Sequence, residues 1–429
     1  MLAGAGSATR PQLAALAGLS KPTVSAAVAE LERTRLAARS GTAHGATGRS
    51  AALYRLGPAA GCVLAIDLGS THTAVRACAL DGTILAARTT YGGGTGPADS
   101  ARAEPGGEIR PGGIGLVEPG GEIRPGGIGL VEPGGEIRPR GTGRAEPDSV
   151  TRPADSARAT PAVGTRPRDT VRAVLDELDP GTVRAVVIAV PDVVREVAAL
   201  GPRPATPAIA AAVDALDLPP GVAVHIENNV NCAALAELHE GAARGRHTFG
   251  YLQVGHGIGL GIVVGGQVLR GAGGAAGEIA RLPYPWAQGQ DSVLEGMEEY
   301  AGAGSLMRRV AAGWSDEDGP APRDAAELFA LAGDGHATAR RYVDTHAREV
   351  GRLAAATTAV LDPGLIVLGG GIGANPRLLP GVRAELARLS WPTEVVGSEV
   401  GDNGTVAGAA RLAVAGGIQT VTQAAAAKD

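Results

Sequence analysis

Apolar residues along this chain fall into two rhythms. Residues 63–66, 183–190, 249–254 and 365–368 are near-continuous runs rich in Val, Ile and Leu. Such runs predict strands buried on both faces. Residues 222–226 and 260–264 read as further strands, and Thr73, Val75 and Ala77 alternate with outward positions up to a hairpin signal at Asp81-Gly82. Elsewhere the spacing is helical. Val24, Val28 and Leu31 share one face of 21–34, and helices are predicted over 11–17, 170–178, 207–218, 232–243, 305–312, 325–331, 338–358, 378–386 and 407–415.

Glycine turns punctuate the apolar strands. The first follows 63–66 as Asp67-Leu68-Gly69-Ser70-Thr71, the second is Gly255-His256-Gly257-Ile258-Gly259, and the third is Gly369-Gly370-Gly371-Ile372-Gly373. Glycine lets backbone approach a ligand closely. Amides and hydroxyls at such turns bind phosphate oxygens, and Asp67 is a candidate metal ligand. Between them, 222–226 leads into Glu227-Asn228-Asn229-Val230-Asn231 and directly into a helix, a junction that projects side chains into the crevice beyond a strand's C-terminal end. Strands with crossover helices between them predict an α/β body of two lobes around a nucleotide-sized cleft.

Composition adds a head and an insertion. The 429 residues carry a formal net charge of −5, yet residues 1–57 hold seven basic residues against Glu30 and Glu32, a local +5. A basic head on an acidic body points to a polyanion-binding module. From Glu104 the chain reads EPGGEIRPGGIGLV, repeats it from Glu118, and starts again at Glu132. Such Gly/Pro tracts cannot bury a core, so 92–168 is expected to be a disordered surface insertion. The cysteines Cys62, Cys78 and Cys232 lack metal-type or disulfide-type spacing, and no signal core or membrane-length apolar run is present, so a cytoplasmic location is expected.

The head reads as two helices joined by Gly18-Leu19-Ser20, with Ser20 placed as an N-cap. Lys21, Thr23 and Ser25 fall near the start of the second helix, where a helix-turn-helix meets phosphates and base edges. Two short strands around a Gly-rich tip carrying Arg49 complete a wing. A helical hairpin that binds a protein is the alternative, and the basic charge argues against it. Residues 1–9 make a poor first helix, which suggests that the true start lies upstream.

The order DLGST, ENNVN, GHGIGLGIV, GAGGAAGEI and IVLGGGIG resembles the ROK family of sugar kinases and sugar-responsive repressors on the actin-like ATPase fold. The likeness covers nearly the whole chain except the repeat, and the head resembles the repressor branch typified by xylose-operon and N-acetylglucosamine-operon repressors. The resemblance implies a winged helix-turn-helix at 1–57 before a two-lobed, RNase H-like sugar-kinase fold. Lobe 1 would span 58–225, lobe 2 226–403, a helix at 404–420 would return to lobe 1, and 421–429 would be a disordered tail.

Departures from the family pattern carry the functional expectation. The resemblance implies a catalytic aspartate where this chain has Asn229, and an amide cannot take a proton from a sugar hydroxyl. His256 stands where a phosphate-turn threonine is usual. The family's zinc histidine and three cysteines have no counterpart, since 280–299 contains neither residue type. No cofactor is therefore expected, and ATP binding is left in doubt. Asn228, Glu278 and Glu298 match ligand-contacting positions, while Arg281 replaces a sugar-contacting histidine and suits an anionic ligand. The ligand set is thus Asn228, Asn229, Glu278, Arg281 and Glu298. Asp67, Gly69, Thr71, Gly255, Gly257, Gly369, Gly370 and Gly371 would be vestigial nucleotide positions. The expected protein is a non-enzymatic regulator, a homodimer or homotetramer on double-stranded operator DNA that senses a sugar or sugar phosphate. A ligand-insensitive DNA-binding protein and a working sugar kinase are the rival readings.

Overall fold

The computed structural model describes residues 1–44, 50–91, 166–178, 183–197, 201–284 and 296–426. Arg49 and the repeat up to residue 165 lie outside them.

The head opens with α1 (Leu2–Ala5), β1 (Ser7–Thr9), α2 (Arg10–Ala17) and α3 (Lys21–Arg33), then the hairpin β2 (Ala37–His44) and β3 (Ser50–Leu56). Its three strands pair in the order β1-β3-β2. A four-residue helix and a short strand thus occupy the stretch expected to make only a poor first helix. They persist because Leu2 and Ala8 join a core of Leu13, Val24, Val28 and Tyr54. Gly18 ends α2 in the left-handed conformation, with φ 62°.

The first lobe is one five-stranded sheet. It contains β4 (Cys62–Leu68), β5 (His72–Ala79), β6 (Ile84–Tyr91), β7 (Val183–Val190) and, after the two-stranded flap β8 (Val194–Val197) and β9 (Gly201–Pro204), β10 (Ala223–Asn228). The order is β10-β7-β4-β5-β6, parallel across β10, β7 and β4 and antiparallel beyond. Helix α4 (Pro167–Asp176) precedes β7, α5 (Pro207–Asp214) precedes β10, and α6 (Asn229–Glu240) follows it. Alternate residues of β4 face opposite cores. Leu64 and Ile66 pack with Val171, Val174 and Val213, whereas Val63 and Ala65 pack with Ala409 and Ala413 from the chain's last helix.

The second lobe repeats that plan. Strands β11 (Phe249–Val254), β12 (Ile258–Val264) and β13 (Gln267–Val268) form the antiparallel part. Helices α7 (Gly296–Ala301), α8 (Ala303–Gly313), α9 (Ala325–Gly333) and α10 (Ala337–Leu361) then lead to β14 (Leu365–Gly369), α11 (Gly370–Gly373), α12 (Leu379–Leu389) and β15 (Glu394–Gly397). The order β13-β12-β11-β14-β15 mirrors the first sheet, with the parallel strands again on one side. The flap and β15 were not expected from sequence.

Helix α13 (Gly404–Ala426) closes the chain. The sequence reading ended this helix at 420 and expected a disordered tail, and that boundary is corrected. Ile418 and Val421 pack against the first lobe's core, so helix continues through Ala426. Helices α6 and α13 lie between the two sheets and meet through small residues. A Cβ at Gly408 would fall 1.8 Å from the Cys232 carbonyl oxygen, and one at Gly261 would fall 2.8 Å from Ala234 Cβ.

Candidate functional site

Asp67 is the penultimate residue of β4, buried, beside the first glycine turn. His72 Nε2 lies 3.1 Å from its Oδ2, while Oδ1 is buried without a hydrogen-bond partner among the described residues. This hydrogen bond to Asp67 raises the His72 pKa against the opposing effect of burial, with Asp67 and Asp402 adding charge attraction. The imidazole lies over Gly69, where a Cβ would sit 2.7 Å from its Cε1. Thr71 Oγ1 is 3.5 Å from His72 Nδ1. His72 is a feature of this turn that the sequence reading passed over.

Where β10 runs into α6, Asn228 is the N-cap. Its Oδ1 accepts from the amides of Val230 (2.8 Å) and Asn231 (3.2 Å), and its Nδ2 donates to the Asp192 carbonyl at 3.1 Å. The sequence reading assigned Asn228 to a ligand, yet both ends of its amide already serve the protein. Asn229 follows as the first helical residue, half-buried, its Oδ1 3.0 Å from the Val230 amide. The neighbour that sequence reasoning missed is Glu227, which is 2% exposed. It accepts from the Asn228 amide, Asn231 Nδ2 (3.0 Å) and Arg270 Nε (2.7 Å). Burial alone would raise its pKa. The His225 ring, 3.9 Å from Oε2, the Arg270 charge and the bonds from Asn231 and Asn228 outweigh it and hold the carboxyl at about 2.

The second and third glycine turns touch. A Cβ on Gly255 would lie 3.5 Å from the Gly371 amide nitrogen. Glu298, on α7, places Oε2 3.4 Å from the Ile258 amide nitrogen and against Gly257, whereas His256 is exposed. Beneath the third turn the Tyr251 ring leaves no room for a Cβ on Gly369. Gly370 has φ 80°. Between the lobes, the glycine loop presses on both sides. Gly274 (φ 76°) would set a Cβ 1.9 Å from the Val194 carbonyl of β8, and Gly277 (φ 85°) one 1.8 Å from the Leu260 carbonyl of β12. Glu278 precedes, and Arg281 ends, the short turn Ile279–Arg281 just beyond.

The structure therefore gathers Asp67, Gly69 and Thr71 around His72, sets Gly257 against Glu298, and brings Gly255 next to Gly371. Lys21, Thr23 and Ser25 lie apart, in the head. Among the described residues no group of three or more His, Cys, Asp or Glu side chains could hold a metal ion. The residues after Ile279 do not fit zinc, since 280–299 offers neither histidine nor cysteine.

The ROK family model matches residues 158–415. The chain belongs to the ROK family. It is 33% identical over 196 residues to the bifunctional enzyme NanE/NanK of Brucella melitensis, a match covering 45% of this chain and 36% of that protein. It is 32% identical over 184 residues to N-acetylmannosamine kinase of Salmonella typhi, covering 43% and 61%. The chain thus spans less than two thirds of these relatives. Among solved structures it resembles a ROK hexokinase from Thermus thermophilus, with 25% identity, TM-score 0.50, and 82% and 97% of the two chains covered. It also resembles a ROK family transcriptional regulator homologous to the E. coli MLC protein, with 17% identity, TM-score 0.60, and 97% and 95% covered. The α/β body has the actin-like ROK sugar-kinase fold, a fold that carries both kinases and regulators. No helix among the described residues is long and apolar enough to cross a membrane.

Proposed function

We propose that this ROK protein is a transcriptional regulator whose kinase cleft has become a receptor for a sugar or sugar phosphate. The observation that carries the reading is Asn229 at the first position of α6, where the family's kinases are expected to hold a proton-accepting aspartate. An asparagine amide can hydrogen-bond a sugar hydroxyl but cannot deprotonate it. The missing zinc ligands point the same way.

The head supports the regulatory half. In this reading α2 and α3 form a helix-turn-helix and β2–β3 its wing. Ser20 caps α3 through the Thr23 amide at 3.3 Å, and Ser20 Oγ meets Thr23 Oγ1 at 2.7 Å. Lys21 and Thr23 are exposed on the first turn, and Ser25 is half-buried. Such a helix enters a major groove with its N-terminal residues first, and a dimer sets two heads on neighbouring half-sites. Arg49 would serve at the wing tip. In the cleft, Asn229, Glu278, Arg281 and Glu298 would hold the ligand, with Asn228 supporting the helix end. Coupling then requires different ligand affinities in two arrangements of the lobes.

A gel-shift assay on the gene's own upstream DNA, run with and without a panel of sugars and sugar phosphates, tests the proposal. Retardation that one of these compounds reverses is expected. Coupled ATP-consumption assays on the same panel are expected to stay below about 1 s⁻¹, the low end of typical enzyme turnover. Faster turnover would make the chain a kinase.

A further inference from the structure

The joint between head and body is built unlike a tether. Only Gly57, the short turn Pro58–Ala60 and Gly61 separate β3 from β4. Backbone bonds tie this joint to the head. The Gly57 amide donates to the Leu36 carbonyl at 2.8 Å, and the Ala59 amide donates to the Arg35 carbonyl at 3.0 Å. Gly57 sits so close to the head that a Cβ would fall 2.2 Å from the Arg35 oxygen. Arg35 itself adopts the left-handed conformation, φ 59°, to present that carbonyl. Leu56 packs against the head's core and the first lobe's core alike.

From the body side, one guanidinium holds the turn. Arg184 Nε donates to the Ala60 carbonyl at 3.0 Å, and Arg184 Nη2 donates to the Ala59 carbonyl at 2.5 Å. A fork of this kind fixes orientation as well as distance, because its donors are rigidly coplanar. The side chain is supported from behind, since its Cβ lies 3.5 Å from where a Cβ on Gly417 of α13 would be. Arg184 is the second residue of β7. At the other end of that strand, Val190 pairs with Asn228, and the Asp192 carbonyl accepts the Asn228 amide. A single central strand thus joins the cleft to the head.

We propose that Arg184 is a positioning residue that locks the head to the first lobe, so that β7 carries the head as a rigid body and transmits cleft movements to it. The transmission rests on the regulator reading above; the rigid lock does not.

Two readouts separate these parts. The native cysteines are all buried, so spin labels can be placed at the exposed positions Thr42→Cys in the head and Thr89→Cys in the body, with unlabelled chain in excess to suppress pairs between copies. One narrow head-to-body distance is expected in the otherwise unchanged chain, broadening several-fold with Arg184→Ala and less with Arg184→Lys. A broad distribution before any change at Arg184, which needs no destabilised variant, would overturn the lock, as would an unchanged distribution in a folded Arg184→Ala protein. For transmission, Arg184→Ala is expected to keep its affinity for the active sugar while the sugar's effect on retardation of the upstream duplex falls at least tenfold. An undiminished effect overturns transmission. If the unmodified chain fails to bind that duplex, the regulator reading and the transmission fall together, while the distance distribution still decides the lock.

Discussion

At the scale of single residues, the junction of β10 and α6 is held by two side chains with different jobs. Asn228 caps the helix, and caps of this type contribute about 1 kcal/mol. Asn228→Ala is expected to cost that much in denaturant unfolding, plus whatever the freed Asp192 carbonyl loses. Asn228→Asp keeps an acceptor for the Val230 and Asn231 amides, so it should recover most of the cap but not the bond to Asp192; equal losses in the two variants would show that the cap contributes nothing. Glu227 contributes to acid sensitivity, alongside Glu385, whose carboxyl Arg388 and Arg352 also hold at about 2. The Glu227 folded pKa of about 2 lies below the ordinary glutamate value of 4.5. A depressed carboxyl stabilises fully above its unfolded pKa and loses that contribution as pH falls toward the folded one. The gap corresponds to on the order of 3 kcal/mol. Stability should therefore decline between about pH 4.5 and pH 2, and Glu227→Gln should flatten this part of the profile. A profile that keeps its slope in Glu227→Gln would move the acid sensitivity to other carboxylates.

At the scale of elements, what could be read from sequence depended on how much apolar signal each element carries. The buried strands β4, β7, β11 and β14 are dense with Val, Ile and Leu, so their places were legible. The flap was not: Val-Arg-Glu-Val and Gly-Pro-Arg-Pro have too few apolar positions to distinguish a short strand pair from a loop. Strand β15 is only Glu-Val-Val-Gly, and it exists because β14 offers it a parallel edge. The far end of α13 was hidden because Ala and Gly give no periodicity, and only packing against the first lobe declares it. Among site residues, the glycine turns were legible as motifs. Asn228 reads two ways, because an Asn at a strand-to-helix junction is itself a capping signal, and its side chain caps α6 in the structure. Packing of small residues also yields a test. At Gly408 a methyl would meet the Cys232 carbonyl at 1.8 Å, and backbone cannot yield as a side chain can. Gly408→Ala should force α6 and α13 apart and lower stability by roughly 1–3 kcal/mol, the usual range for overpacking. Melting at the unaltered temperature would mean that this crossing is looser than its geometry.

At the scale of the whole molecule, charge decides how the protein would meet DNA. The chain is net −5 while residues 1–57 are net +5, so the charge balance favours a duplex at the head over the body. Even in the head the basic residues are not equivalent. Arg33 is paired with Glu30, and Arg10 and Arg39 share Glu32. Among the described residues, Lys21, Arg35 and Arg55 have no carboxylate partner, and Arg35 and Arg55 lie beside the joint rather than on α3. Of the proposed contacts, Lys21 thus has no carboxylate partner among the described residues, and Arg49 lies outside them. Each phosphate neutralised adds about 0.9 to the steepness with which affinity falls with salt. Removing both side chains as Lys21→Ala with Arg49→Ala should weaken binding at low salt and reduce that steepness by nearly two, provided both groups sit on phosphates. If Arg49 instead reads the floor of a minor groove, the slope should fall by nearer one, and the remaining loss should depend on the sequence under the wing. An unchanged slope in a protein that still binds would place the interface elsewhere and remove the physical basis for treating this head as the DNA-reading end.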